Sequence, residues 1–271
     1  MKQPNDNLKQ KIVEWLDNQG YPLEIEVARV FESNRFSVSV SDIYEDFESG
    51  DDREIDVRAS TFSSFKFNPV LHVHWEIECK LSKDKPWIIF LSDILAQTDS
   101  RRVPFGLIAS DEYGGKLINK YFDQSFQSRI NELEILNPSK SGHSLTQALT
   151  SGQDVSYKAM QSCIKASFDF VLKTPKPEAD TSASKKVNSR IFWSIAFPVI
   201  VIDGKLFEYS KDQNGKFLLE EIEYGCVEWK GNNPLNARPY VYVVTKDALG
   251  DFVKKARKLT DLLIEIAQLS P

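Results

Sequence analysis

Several things are scarce in these 271 residues, and each scarcity excludes a class of protein. Cysteine occurs three times, as Cys79, Cys163 and Cys226. An odd number, spread far apart with no CxxC spacing, supports neither a disulfide framework nor a zinc-thiolate site. No apolar run approaches the roughly 18 residues that a membrane span requires. The amino-terminal MKQPNDNLKQ is polar and lacks the apolar centre of a secretory signal, so the expected location is the cytoplasm, away from membranes. Positive charge is also scarce. Lys plus Arg number 34 against 39 Asp plus Glu, a net charge of −5, so contact with phosphates has to be local rather than spread over one broad basic surface. No Walker-type or GxGxxG loop is present, which removes the main support for an enzyme acting on a small phosphate ester.

Apolar and aromatic side chains are plentiful, with 17 Phe, 9 Tyr and 5 Trp, enough to offset the entropy of ordering the chain. Periodicity assigns a short helix at 8–17 and a second at about 22–33, where Leu23, Val27, Val30 and Phe31 form a core-facing stripe. Alternation then predicts a strand at 36–44 and another at 54–60 with Ile55, Val57 and Ala59 facing one way. A third is predicted at 70–80 with Val73, Trp75, Ile77 and Cys79 inward. Residues 87–91 are a short apolar run, 92–150 read as a surface insertion, and 174–190 as a flexible loop. A helix at 157–172 and a strand at 192–202 follow. Asp203-Gly204 is expected to turn the chain into a hairpin with 205–209. Strands at about 216–229 and 239–245 and an amphipathic helix at about 247–268 complete the chain. This order predicts a single α/β domain with a mixed central sheet flanked by helices: a core of about 8–91 plus 155–202, the insertion, and a carboxy-terminal strand-helix extension at 203–271.

Chemistry concentrates in the first 80 residues. Asp56 alternates to the face opposite Ile55 and Val57, while Glu78 and Lys80, two apart on the next strand, share one face. If the two strands pair, two carboxylates and one ammonium meet on one wall. Carboxylate oxygens are hard ligands suited to Mg²⁺ or Mn²⁺, and a lysine beside them can position or deprotonate a water or stabilise a phosphate oxygen.

The segments REIDVRA (53–59) and HWEIECKLS (74–82) resemble the PD-(D/E)xK, or restriction-endonuclease-like, nuclease superfamily. The resemblance implies that Asp56 is the acidic residue of the second core strand and Glu78-Cys79-Lys80 the (D/E)-x-K of the third. Many members add a glutamate on the first core helix, which PLEIEVARVF (22–31) supplies, with Glu24 preferred over Glu26 because it shares a side with Val27, Ala28 and Phe31. The superfamily's usual proline before the aspartate is absent. The resemblance covers roughly 20–90 and, more weakly, 157–172 and 192–202. It implies a restriction-endonuclease-like core and Mg²⁺- or Mn²⁺-dependent endonuclease activity. Asp56, Glu78 and Glu24 would hold the metal, Lys80 would act on the attacking water, the substrate would be DNA, and the setting bacterial genome defence or repair.

Two alternatives stand beside it. The three acidic and basic residues of the third strand would be the solvated face of an edge strand with ordinary ion pairs. Or the fold would be a nuclease-like scaffold without turnover, serving as a subunit of a larger complex, which the net charge favours. A homodimer is also open. Among the remaining residues, His72 and His74 read as strand-surface histidines rather than a zinc or manganese pair, with His74 near the cleft, and Cys79 as a small buried hydrophobe. His143 has no recognisable catalytic partner. Gln161 is a candidate polar contribution from the 157–172 helix. Lys83, Lys85, Arg101 and Arg102, or the run Lys254, Lys255, Arg257 and Lys258, could track a phosphate backbone, and Trp87 and Phe90 could stack on a base or pack in the core.

Overall fold

Two antiparallel strands joined by a tight acidic turn lead the chain into a central mixed sheet. The computed structural model describes residues 4–16, 18–63, 66, 69–91, 108–110, 114, 141–150, 154–175, 191–212 and 214–269. Two helices, α1 (Pro4–Leu16) and α2 (Tyr21–Ser33), precede strands β1 (Ser37–Glu45), β2 (Asp52–Phe62) and β3 (Val70–Leu91). Then come β4 (Ile108–Ala109), β5 (Gly142–Gln147), α3 (Val155–Leu172) and β6 (Phe192–Lys211). The chain ends with β7 (Phe217–Ile222), β8 (Tyr224–Glu228), β9 (Tyr240–Thr245), a 3-10 turn (Lys246–Ala248) and α4 (Leu249–Leu269). Most of the proposed insertion, most of the 174–190 loop, and Arg101 and Arg102 lie outside the described residues.

Strands β1, β2 and β3 are antiparallel neighbours, and β3 pairs in parallel with β6 along most of its length. β6 in turn pairs in parallel with β9 and antiparallel with β4 and β7. The pairings β3–β5, β5–β8, β8–β9, β9–β6 and β6–β3 close into a ring. β3 therefore has neighbours on both sides and is a central strand, which overturns the edge-strand reading of Glu76, Glu78 and Lys80. Glu76 is fully buried and Glu78 is 5% exposed.

The sheet separates two apolar clusters. On one side the odd residues of β3 from Leu71 to Cys79 pack with α2 and α4, and Trp75 stacks on Phe197 at 4.3 Å and meets the edge of Phe252 at 6.0 Å. On the other side α3 covers Trp87, Ile89, Ile200 and Ile202. Burial of this face against the sheet is the main source of the helix's stability.

Three further expectations need correction. Asp203-Gly204 makes no hairpin, because β6 runs straight through it. The glycine is needed for close approach instead: a Cβ at Gly204 would come within 2.4 Å of the Ser82 carbonyl oxygen on β3. The actual turn between β6 and β7 is at 212–216, where Gly215 takes φ +79°. Likewise β3 does not stop near residue 80. It absorbs residues 87–91 after a register shift between Ser82 and Trp87, which lets Lys83, Asp84 and Lys85 bulge into solvent.

Ile55 departs from the expected alternation as well. Val57 and Ala59 lie in the cluster with Trp75, whereas Ile55 lies in the cluster beneath α3. The switch falls at Asp56. On β1 the register passes from Val40↔Val57 to Asp42↔Ile55, which sets Ser41 across from Asp56. Ser41 has φ +54°, a left-handed conformation that is unfavourable for a residue with a side chain. Both strands thus flip faces at the same level, and the flip brings Asp56 round toward β3.

Candidate functional site

The β2–β3 ladder runs from Phe62↔His72 to Val57↔Ile77 and ends there. Immediately beyond, Asp56 bonds β3 through its side chain, with Oδ2 accepting from the backbone amide of Cys79 at 2.7 Å. The same oxygen lies 3.4 Å from Lys80 Nζ, and Lys80 Nζ also donates to Glu78 Oε2. Two carboxylates from different strands therefore share one ammonium, and Lys80 remains partly open to solvent, with its side chain 26% exposed.

Glu24 joins by charge. It occupies the first turn of α2 on the buried side, whereas Glu26 faces away and pairs with Lys246 at 2.8 Å. Burial, followed by repulsion from Asp56 and Glu54, raises the pKa of Glu24 above its ordinary value despite the opposing pull of Lys80.

Among the described Asp and Glu residues Glu78 is the most perturbed. Burial pushes its pKa up to about 7, and Asp56 adds to the rise, while Lys80 and a hydrogen bond from Ser162 only partly offset it. For Lys80 burial alone would favour the neutral amine, but the charges of Glu78 and Asp56 outweigh it and hold the pKa above its ordinary value. Lys80 is therefore a charged donor at neutral pH, suited to hold a phosphate oxygen or a water, and not a base in this arrangement.

Ser162 is the residue that reading the sequence missed. It lies on α3 and hydrogen-bonds both Glu78 and the hydroxyl of Tyr44. Tyr44 is 1% exposed, and burial pushes its pKa up to about 12. The neighbouring Gln161 is half-buried and bonds the Tyr157 hydroxyl at 3.4 Å. A helix-period stripe on 157–172 carries no mark that separates Gln161 from Ser162. Only the seating of α3 does, and that seating comes from its apolar face together with Lys165, whose Nζ lies 2.8 Å from the buried Asp46 of the β1–β2 turn.

The rest of the β3 face is structural. Arg58 Nε contacts both oxygens of Glu76 at 2.9 and 3.0 Å, its other arm reaches Asp42 at 2.6 Å, and His74 Nδ1 is 3.3 Å from Glu76. His74 stacks on Phe170. Cys79 is buried, and burial raises its thiol pKa well above the ordinary value, so it is no nucleophile. Trp87 is fully buried and donates from Nε1 to Ser82 Oγ at 2.8 Å, whereas Phe90 lies half-buried against Tyr209. His143 is exposed, 6.5 Å from the Phe90 ring. Several of the suggested phosphate-tracking cations are engaged: Lys83 with Asp203, Lys254 with Asp251, Lys255 with the Tyr224 hydroxyl and Arg257 with Asp261.

Among the described residues, no group of three or more His, Cys, Asp or Glu side chains stands arranged to hold a metal ion. The donor chemistry nevertheless suits a hard divalent cation. Asp56 and Glu78 offer carboxylate oxygens to a common point that now holds an ammonium, and Glu24 and Glu78 both feel the charge of Asp56. No helix of the described residues is long and apolar enough to cross a membrane. No protein-family model matches the chain, and neither a curated protein nor a solved structure does.

Proposed function

We propose that this chain is a divalent-metal-dependent nuclease that hydrolyses phosphodiester bonds in DNA on a restriction-endonuclease-like core. The observation that carries the reading is the single ammonium of Lys80 shared by Asp56 and Glu78, at the level where the β2–β3 ladder gives way to side-chain bonding. The element order α2-β1-β2-β3-α3-β6 supports it, because that is the order in which the resemblance needs its glutamate, aspartate and E-x-K.

Asp56 and Glu78 would hold Mg²⁺ or Mn²⁺, with Glu24 supporting from α2. The cation, when bound, activates a water and neutralises charge on the scissile phosphate. The chain's own residues do the remainder. Asp56 is oriented by the Cys79 amide, and Glu78 by Ser162. The Lys80 ammonium, released from between the carboxylates, is a charged donor for a phosphate oxygen or the attacking water. Its partial exposure leaves room for that swing.

A second reading has its own observation. Lys80 already bridges both carboxylates, and such a cluster can serve simply to rigidify a scaffold that acts as a subunit of a complex. Calorimetric titration with Mn²⁺ separates the two. Under the nuclease reading Mn²⁺ binds with proton release from Glu78 and raises the melting temperature. Absence of binding to the wild type, or equal binding to Asp56→Asn, supports the scaffold.

A further inference from the structure

Among the described residues, three strands are paired along one side only: β1, β4 and β7. Two of these edges are poor templates for a further strand. β4 has two residues, and β1 is interrupted by left-handed Ser41. β7 is different. Its six residues, FLLEEI, contain no proline and no positive φ. An unbroken edge presents a row of unpaired amides and carbonyls, which proteins ordinarily guard.

This edge is also apolar. Phe217 and Leu219, alternate residues on one face, are 55% and 57% exposed. Tyr209 of β6 stands opposite Leu219 and stacks on Phe217 at 5.2 Å, and Phe90 of β3 lies 5.6 Å beyond Tyr209. An apolar row thus crosses β3, β6 and β7 and stops at the open edge.

The backbone decides what can continue it. The Lys216 carbonyl accepts the Asp212 amide at 2.9 Å, so Lys216, Leu218, Glu220 and Ile222 turn their backbone groups toward β6. Phe217, Leu219 and Glu221 turn theirs outward. In an antiparallel ladder outward groups must meet outward groups, so two copies of β7 can pair only in registers centred on a residue. Centred on Leu218, Phe217 stands opposite Leu219 of the second copy, and Leu219 opposite its Phe217. The same register sets Lys216 opposite Glu220 of the second copy, twice by symmetry, and both side chains are exposed. The neighbouring registers fail. Centred on Leu219, Phe217 meets Glu221 and Leu218 meets Glu220. Centred on Phe217, Lys216 meets Leu218, and centred on Glu220, like charges meet.

We propose that β7 is a homodimerisation strand, through which two copies of this chain pair antiparallel about Leu218 and join their sheets. The apolar row then runs on from Leu219 into Phe217 of the second copy. Because the contact is isologous, each edge is used up by the other and the assembly closes at two.

Sedimentation velocity over a series of protein concentrations tests this, without metal or nucleic acid and so independently of the nuclease reading. The wild type is expected to pass from monomer to dimer as concentration rises. Glu220→Lys sets Lys216 against a second lysine, and Lys216→Glu sets Glu220 against a second glutamate. Each change strikes both symmetric pairs and weakens dimerisation roughly tenfold. Mixed in equal amounts, the two variants restore opposite charges at both pairs, and a dimer of wild-type strength returns. Leu219→Pro removes an outward amide while leaving the bonds to β6, and it abolishes the dimer with an unchanged circular dichroism spectrum. A wild type that stays monomeric at every concentration overturns the proposal. So do charge variants that dimerise as the wild type does, or a mixture no stronger than its components.

Discussion

Asp56 Oδ2 accepts the backbone amide of Cys79 at 2.7 Å, so a side chain makes the bond to β3 at the level where the β2–β3 ladder has ended. This one contact links the fold to the site. It needs the face flip at Asp56, the flip goes with left-handed Ser41 on β1, and the result is a carboxylate held against Lys80.

Strain at Ser41 should be measurable. Ser41→Val puts a β-branched side chain at φ +54° and is expected to cost roughly 1–2 kcal/mol in denaturant unfolding. Ser41→Gly should be neutral or mildly stabilising. Equal stability of all three proteins would mean that the left-handed turn is not held.

Stability should depend on pH through Glu78. Its folded pKa of about 7 exceeds the ordinary 4.5, so between those values the folded state keeps a proton that the unfolded chain has released. The associated stability is fully present below pH 4.5 and is lost as pH rises through about 7, at up to roughly 1.4 kcal/mol per pH unit. The raised Glu24 adds a contribution of the same sign. Glu78→Gln, which cannot titrate, should flatten the fall across this window. Chemical denaturation at a series of pH values reads it, and parallel curves for the two proteins would refute the assignment.

Ser162→Ala removes the hydrogen bond that lowers the Glu78 pKa. The Glu78 pKa should then rise further, stability should drop by about 1 kcal/mol, and Mn²⁺ affinity should fall roughly 10–100-fold. Gln161→Ala, on the next position of the helix, should leave the metal titration unchanged.

Gly204→Ala tests the packing of β3 on β6 at a distance from the chemistry. The added methyl would meet Ser82 backbone at 2.4 Å, an approach that flexible side chains cannot relieve. A loss of roughly 1–3 kcal/mol is expected. A neutral effect would mean that the β3 bulge at 83–85 absorbs the clash.

Much of the fold is legible in periodicity. The apolar stripes Leu23–Val27–Phe31 and Val73–Trp75–Ile77 read directly as a helix face and a strand face, and both are core. What defeats the reading is tertiary. Asp203-Gly204 looks like a turn because glycine's permissive backbone and its lack of a side chain are indistinguishable in sequence, and here the second is what matters. Glu76 looks solvated because its partner Arg58 lies on another strand. The spacing of Asp56, Glu78 and Lys80 is visible in the chain, and the structure brings all three together. Ser162 is invisible, since nothing local says that α3 settles with that hydroxyl over Glu78.

The central claim is tested most directly by cleavage of a panel of plasmid, linear duplex, single-stranded DNA and RNA with Mn²⁺, comparing wild type with Lys80→Ala. The account predicts cleavage of DNA by the wild type and none by Lys80→Ala, with the variant still folded and still binding Mn²⁺. Equal cleavage by both proteins, or no cleavage of any substrate by the wild type, would contradict it.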